Sequence, residues 1–326
     1  MQIRWCFQRF SWFDAKVPLL FSRFFVVLAL SIQSLGVHAQ LSDLGAPLIQ
    51  NYDAKIYKAH SQNWAALQDQ RGVMYFGNSQ GILEFDGQHW RSLTTTGNPM
   101  VRSLHMASDG TIFYGAIGDF GYLEASAQGK LIAKSIKDML PHEERVFNDV
   151  WQIASTAQGV YFLTRSRIFR LHAGKLTSLP GKFASSQATV LNDHLFYVDS
   201  ERGICLLDAD QIIPIPQLST LLNGRRMVMT VAGPHQILVG RTTGDFKLID
   251  FAQQWNAQTK RYVFDANSAP IVSNFPTEID HLLDEDHAYM YKLLSLGNDQ
   301  FAISSVRAGV MIFNRQGKLL RVINKN

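Results

Sequence analysis

The sequence predicts an all-β fold, a β-propeller of four-stranded blades, on two observations. A short motif recurs six times, at intervals of 40, 46, 36, 42 and 64 residues. Each period holds about four short apolar runs joined by turn residues, with no convincing helical run. Repeats of about 40–50 residues with four strands each are typical of propeller blades. The six copies are GILEFD from Gly81, GYLEAS from Gly121, RIFRLH from Arg167, GICLLD from Gly203, DFKLID from Asp245 and GVMIFN from Gly309.

The second strand of several repeats carries two adjacent aromatic residues, for example Tyr161 and Phe162. Because side chains alternate along a strand, we expect each pair to place one ring on each face of its blade. A single four-stranded sheet cannot cover both of its faces. Stacking blades around an axis would bury these rings between neighbouring sheets.

The segment from Asn63 to Leu93 illustrates one blade. The dipeptide Asp86-Gly87 predicts the hairpin turn before the outermost strand, in which we expect Trp90 to pack. Glycines such as Gly77 and Gly115 lie near the end of the second strand, where we expect them to allow a sharp turn.

The last interval contains an insertion from Asp250 to Asp286, which we expect to form a long loop on one face of the disc. Within it, the segment from His281 to His287 (HLLDEDH) groups histidines with carboxylates. Its spacing fits no standard metal-ligand pattern. We therefore expect a solvated loop, with no metal and no other cofactor.

The first 39 residues predict a secretory signal peptide. Basic residues precede the apolar run FFVVLALSIQSLG, and small or neutral residues follow up to Ala39. The run is shorter than the ~20 residues that a membrane span needs. We expect periplasmic export, with residues 40–326 as the propeller domain; an uncleaved membrane anchor is the alternative.

Charge and cysteine content indicate which partners and which covalent cross-links to expect. Without the leader, 27 basic side chains face 26 acidic ones, so the charge balance does not favour nucleic acid as a partner. Cys205 is then the only remaining thiol, and it cannot form an intramolecular disulfide. It lies in the middle of an apolar run, where we expect a buried, inert thiol.

The residues from Asn51 to Trp90 resemble the start of the sensor region in two-component regulator propeller proteins. The match continues through the next blade, from Asn98 to Leu123, and is weaker at the last repeat. The resemblance implies a periplasmic, non-enzymatic, ligand-sensing input domain. In that family one or two seven-bladed propellers precede a small β-sandwich, a membrane span and an output domain.

This sequence shows six repeats and none of those downstream modules. We expect a partial seven-bladed propeller from a truncated receptor. The alternative is a six-bladed ring in which Ala46 to Lys58 supplies a closing strand. The resemblance implies a membrane-spanning signalling module or receptor as partner, and a second copy of the chain is a further candidate.

The default ligand site of a propeller is the channel mouth, where the innermost strands begin. Aromatic faces stack on sugar rings, while Arg, Asp and Asn bind hydroxyls or carboxylates. We therefore expect an oligosaccharide, an acidic glycan fragment or another small ligand. A one-residue error in a strand start would turn its side chain to the opposite face, and the two tryptophans could instead be core residues between blades. The candidates are Asn63, Trp64, Arg102, Asp149, Trp151, Arg226 and Tyr291.

Two other functions remain open. An exported glycosidase or lyase would place acid and base groups at the same channel mouth. A protein-binding adaptor would use a face of the disc. Paired inward carboxylates would favour the enzyme, and Asp149 is the only clear candidate, so we expect no enzymatic activity.

Overall fold

The computed structural model describes residues 50–93, 95, 97, 99–184, 187–221, 227–265, 268–285 and 289–324. The chain divides into two compact units, Met1–Asn51 and Tyr52–Asn326, and every strand belongs to the second. The predicted signal peptide lies outside the described residues. Within the described part, no helix combines the length and the apolar character that crossing a membrane requires.

Six antiparallel four-stranded sheets follow one another along the chain and form the blades of a β-propeller, which confirms the predicted fold. The first strand of each blade contacts the first strand of the next, so these strands form the inner ring. Blade 1 consists of β1 (Asn63–Gln68), β2 (Met74–Asn78), β3 (Gly81–Phe85) and β4 (Trp90–Leu93). Blade 2 consists of β5 (Val101–Met106), β6 (Ile112–Ala116), β7 (Phe120–Ala125) and β8 (Leu131–Ser135). Blade 3 consists of β9 (Val150–Thr156), β10 (Gly159–Thr164), β11 (Ile168–His172) and β12 (Lys175–Leu179).

The second half of the ring follows the same plan with one insertion. Blade 4 consists of β13 (Thr189–Leu191), β14 (His194–Asp199), β15 (Gly203–Asp208) and β16 (Gln211–Pro214). Blade 5 consists of β17 (Met227–Gly233), β18 (Gln236–Arg241), β19 (Gly244–Asp250) and β22 (Ile271–Asn274). A two-stranded sheet of β20 (Trp255–Asn256) and β21 (Arg261–Tyr262) is inserted before β22. Blade 6 consists of β23 (Met290–Gly297), β24 (Gln300–Ser305), β25 (Gly309–Asn314) and β26 (Leu319–Ile323).

Five apolar cores hold the blades together, one between each pair of consecutive blades. Tyr161 packs with Tyr197 between blades 3 and 4. Its neighbour Phe162 packs with Phe113 between blades 2 and 3, at a ring-centroid distance of 6.0 Å. The aromatic pairs therefore alternate between the two interblade layers, as predicted. Among the described residues, no apolar cluster joins blade 6 to blade 1.

The first blade confirms the prediction for its hairpin. The turn at Asp86-Gly87 joins β3 to β4, and Gly87 has the positive φ of 98° that favours glycine. Trp90 begins the outer strand and stacks on Phe85 at 4.4 Å between ring centroids. Burying the large indole here stabilises the outer edge of the blade.

The alternative in which Ala46 to Lys58 supplies a closing strand is wrong for the described part of that segment. The chain forms a short helix, α1 (Ala54–Tyr57), capped by the Asp53 side chain, which accepts a hydrogen bond from the backbone N–H of Lys55 at 2.9 Å. Tyr57 then packs on Trp90 at 5.2 Å. Blade 6 draws all four of its strands from the end of the chain.

The glycines of the second strands serve close packing and not the turning of the chain. Gly77 and Gly115 lie within β2 and β6, and neither has a positive φ. A Cβ on Gly77 would lie 2.9 Å from the carbonyl oxygen of Val101, and one on Gly115 would lie 2.5 Å from Cγ1 of Val150. Val101 and Val150 each begin the inner strand of the next blade. Glycine thus lets adjacent blades approach closely.

The prediction that Asp250 to Asp286 forms one long loop is also corrected by the structure. It contains the small β20–β21 sheet, the outer strand β22 and a helix, α2 (Ile279–Glu285). Ile279 and Leu283 are buried in the core between blades 5 and 6, and this i, i+4 apolar pair explains why the segment folds as a helix. Most of HLLDEDH therefore lies in α2, and residues 286–288 lie outside the described part.

Candidate ligand-binding site

A cavity of about 620 Å³ opens where the inner strands begin. Trp64, Arg102 and Trp151 reach it from the inner strands of blades 1, 2 and 3. Tyr291 and Lys292 reach it from the inner strand of blade 6. The turns after the second strands of blades 3, 5 and 6 complete the wall. Five of the six blades thus contribute side chains to one channel mouth.

Arg102 is held in one orientation by an ion pair and two aromatic rings. Its Nε donates to Oδ1 of Asp149 at 2.6 Å, and the two side chains are only 14% and 19% exposed. Its Cζ lies 3.7 Å from the ring centroid of Trp64 and 4.9 Å from that of Trp151. These contacts fix the guanidinium plane before any ligand binds.

One nitrogen of this guanidinium is enclosed by protein atoms without forming a hydrogen bond to the described residues. Nη1 of Arg102 is buried and has no hydrogen-bond partner among the described residues. Leaving a buried donor unsatisfied costs about 1–3 kcal/mol.

The two tryptophans line the cavity and are also partly buried. Nε1 of Trp64 donates to Oγ of Ser79 at 3.0 Å, which fixes the indole at the start of β1. Trp151 packs against the core between blades 3 and 4, and Cζ of Arg165 lies 5.0 Å from its ring centroid. Each ring therefore has a structural contact as well as a surface on the cavity.

The other sequence candidates divide into three groups. Tyr291 lines the cavity and is 37% exposed. Asn63 and Asp149 are not among the lining residues: Asn63 accepts a hydrogen bond from Nδ2 of Asn78 at 2.8 Å, and Asp149 holds Arg102. Arg226 lies outside the described residues. The structure thus brings four of the seven candidates to one cavity: Trp64, Arg102, Trp151 and Tyr291.

Sequence reasoning missed several cations of the same wall. Arg165 follows β10, and its Nη1 donates to the carbonyl oxygen of Phe183 at 2.7 Å. Arg241 ends β18 and pairs with Asp245 at 3.4 Å. In an antiparallel blade, the second strand ends at the rim where the first begins, so its following turn faces the same mouth. Applied to the sequence, this rule would have identified both arginines as candidates.

Lys292 adds a titratable group to the cavity. Burial disfavours its charged form and lowers the pKa of Lys292 to about 8. Together with Arg102, Arg165 and Arg241, it makes the wall cationic, and no carboxylate is among the described residues that line it. The arrangement suits a ligand that carries negative charge and offers a flat face to the aromatic rings.

The remaining reactive groups of the described part give no second chemical centre. Cys205 is buried, as expected, and burial raises the pKa of its thiol to about 12, which disfavours the reactive thiolate. The described residues contain no group of three histidine, cysteine or acidic side chains arranged to hold a metal ion.

Comparisons with known proteins show the fold. No family model and no curated protein sequence matches the chain. Among solved structures, virginiamycin B lyase from Staphylococcus aureus is 13% identical, with a TM-score of 0.58 over 81% of this chain and 85% of that one. The extracellular domain of a putative one component system from B. thetaiotaomicron is 13% identical, with a TM-score of 0.54 over 81% of this chain and 33% of that one.

A third structure is the extracellular domain of a putative hybrid two component system from B. thetaiotaomicron. It is 17% identical, with a TM-score of 0.50 over 85% of this chain and 36% of that one. This chain therefore spans about a third of each of the two extracellular domains. At these identities the shared property is the β-propeller fold.

Proposed function

We propose that this chain is an exported, non-enzymatic ligand-sensing domain, the input part of a two-component-type signalling receptor. The observation that carries the proposal is the channel mouth, where side chains from five of the six blades line a single cavity. A small molecule in that cavity would contact most of the ring at once.

Binding at this position supplies a physical route for a signal. A ligand that bridges blades favours the arrangement in which all its contacts are made, and so shifts the population toward it. The Arg102–Asp149 pair already links blade 2 to blade 3 at the cavity. A change at the mouth would thus reach the interblade contacts, and through them a membrane-spanning partner or a second copy of the chain.

Two further observations support a sensing role. The residues from Asn51 to Trp90 resemble the sensor region of two-component regulator propeller proteins. In addition, two of the similar solved structures are extracellular domains of putative signalling systems. Export to the periplasm, predicted from the leader, would place the cavity where external ligands are found.

The enzymatic alternative receives less support. Virginiamycin B lyase shares the fold, but acid–base chemistry needs titratable groups placed around the substrate. Among the described residues, the cavity wall has arginines, aromatic residues and Lys292, but neither histidine nor carboxylate. The wall is suited to binding.

A ligand screen with a product check tests the proposal. The purified protein is heated with each member of an oligosaccharide panel, and any stabilising ligand is recovered and weighed by mass spectrometry. At a concentration of 100 Kd, binding adds about 2.7 kcal/mol, which raises Tm by roughly 5 °C. We expect the ligand to be recovered intact.

Two matched tryptophan variants test whether the ligand that raises Tm binds in this cavity. Trp151→Ala should abolish the rise in Tm, whereas Trp255→Ala should preserve it, because Trp255 lies outside this cavity. Recovery of a cleaved oligosaccharide would show that the protein is an enzyme and would contradict the proposed sensing role. A panel in which no small molecule stabilises the protein would refute the sensing role.

A further inference from the structure

We infer that the chain has a second binding site, for a free amino acid with an aromatic side chain, on the rim of the propeller opposite the channel mouth. The site is a cavity of about 600 Å³ between blade 4 and the hairpin β20–β21 that is inserted in blade 5. Such a volume suits a small molecule. Different described residues line the two cavities, so this site is independent of the one at the channel mouth.

Blade 4 holds the inserted hairpin in place. In an antiparallel blade, the first strand ends at the rim opposite the one where it begins, so the turn after β13 lies away from the channel mouth. In that turn, Nδ2 of Asn192 donates to the hydroxyl oxygen of Tyr262 in β21 at 2.8 Å and to the carbonyl oxygen of Pro234 at 2.6 Å. Arg261 of β21 lies 3.4 Å from Asp208 at the end of β15. These contacts fix the walls of the cavity before any ligand binds.

A buried histidine lines this cavity. His194 is only 7% exposed, and its Nδ1 lies 2.7 Å from the carbonyl oxygen of Asn192. Because a carbonyl oxygen can only accept, Nδ1 carries the proton, and Nε2 of the neutral imidazole is an acceptor. Nε2 has no hydrogen-bond partner among the described residues but, unlike Nη1 of Arg102, it is not completely enclosed by protein atoms. Its lone pair is therefore available to a donor on a ligand.

The two walls of the cavity carry opposite charges. Blade 4 contributes the acceptor His194 and two carboxylates, Asp193 and Asp208, of which Asp208 is only 17% exposed. The hairpin contributes Lys260 and Arg261. Lys260 forms no ion pair within the described part of the chain, and Arg261 is 59% exposed, so solvent weakens its contact with Asp208.

This division of charge suits a zwitterion. An ammonium group offers three N–H donors to the histidine and the carboxylates of blade 4, and a carboxylate accepts from the lysine and arginine of the hairpin. An α-amino acid carries both groups on one carbon atom. A neutral ligand would gain nothing from the separation of the two signs.

The indole of Trp255 explains why the side chain is aromatic. Trp255 begins β20 and lines the same cavity. Its ring centroid lies 4.9 Å from that of Tyr262 and 6.2 Å from that of His194, which meets it edge-on. An aromatic side chain on the ligand would add one more ring to this group, in the paired geometries that aromatic rings prefer.

The test is isothermal titration of the purified protein with four probes: L-phenylalanine, phenethylamine, 3-phenylpropionate and L-alanine. Phenethylamine lacks the carboxylate, 3-phenylpropionate lacks the ammonium group, and alanine lacks the ring. We expect phenylalanine to bind at least about 10-fold more tightly than each of the other three.

Matched variants, each checked for folding by circular dichroism, locate the binding. Asp208→Asn removes a carboxylate that would bind the ammonium group and should weaken phenylalanine binding about 10-fold. The control Asp210→Asn changes a carboxylate two residues away, which pairs with Arg170 at 2.9 Å and does not line the cavity, and should leave the affinity unchanged. Trp255→Ala should remove the preference for phenylalanine over alanine, whereas Trp151→Ala, at the channel mouth, should preserve it.

The possible results distinguish this inference from the proposed function. Equal affinity for phenylalanine and for any of the other three probes would overturn the aromatic zwitterion as ligand. Absence of binding by all four probes, or an equal loss in Asp208→Asn and Asp210→Asn, would overturn the second site. None of these results affects the oligosaccharide screen, which tests the sensing role of the channel mouth separately.

Discussion

The carboxamide of Gln187 forms two hydrogen bonds with the backbone of Leu293, 106 residues further along the chain. Its Nε2 donates to the carbonyl oxygen at 2.6 Å, and its Oε1 accepts from the N–H at 2.9 Å. Gln187 precedes the inner strand of blade 4, whereas Leu293 lies in that of blade 6. The contact ties two blades together beside Lys292, at the wall of the cavity.

Replacing Gln187 by leucine should destabilise the ring. Both backbone groups of Leu293 would lose a buried partner, and each unsatisfied group costs about 1–3 kcal/mol, so we expect a loss of roughly 2–6 kcal/mol. Urea denaturation measures the free energy of unfolding. The control Gln300→Leu alters an exposed glutamine and should change it by less than about 0.5 kcal/mol. An equal effect in both variants would contradict the role of the contact.

Asp149→Asn should lower the free energy of unfolding more than the same change in an exposed ion pair does. The amide would offer Arg102 a weaker, neutral acceptor in a largely buried place, and we expect a loss of about 1–3 kcal/mol. Asp138→Asn is the control, because Asp138 pairs with Arg145 at 3.0 Å but is 86% exposed. There we expect less than about 0.5 kcal/mol by thermal or urea unfolding. Similar losses of unfolding free energy in the two variants would contradict the view that burial strengthens the Arg102–Asp149 pair.

Ligand binding should depend on pH through Lys292. Its pKa of about 8 means that the amine is charged below this pH and neutral above it. Affinity for an anionic ligand should therefore be highest near pH 6–7 and fall about 3- to 10-fold on passing through pH 8 to 9. Titration calorimetry across this range measures the decline. Arginine side chains do not titrate in this range and so do not contribute to the decline.

The matched variant is Lys292→Arg. A guanidinium keeps its charge over the whole range, so binding by this variant should show no fall between pH 7 and 9. If wild type and variant decline together, another group controls the dependence.

Gly115→Ala should force blades 2 and 3 apart. The added methyl would lie 2.5 Å from Cγ1 of Val150, a side chain fixed in the interblade core. We expect a loss of about 1–3 kcal/mol from overpacking, measured by urea denaturation. The control places Gly115→Ala in a Val150→Ala background, where Cγ1 of residue 150 is absent and the added methyl should cost less. If Gly115→Ala leaves the free energy of unfolding unchanged, the blades can move enough to accommodate the methyl group.

The blades could be predicted because their pattern is local. Alternating apolar residues and turn residues specify each strand wherever it lies, and they led directly to Trp64, Arg102 and Trp151 at the inner-strand starts. Arg165 was missed because it lies in a turn, and Arg241 because it is the last residue of its strand, where the periodic signal ends. Only the antiparallel path of the blade places them at the same mouth.

Two errors have the same physical origin, that sequence alone does not reveal the neighbours of a residue. Gly115 carries backbone freedom that a turn could use, yet its lack of a side chain is what admits Val150 of the next blade. The helix α2 spans only seven residues, too few for its apolar pair to stand out from a loop. In each case packing between blades decides the outcome.

The most direct test of the central claim is a crystal structure of the protein with the oligosaccharide that stabilises it most. We predict density in the channel mouth, with a sugar ring against Trp151 or Tyr291. A disaccharide bound elsewhere, for instance beside Trp255, with the channel mouth empty, would contradict the account.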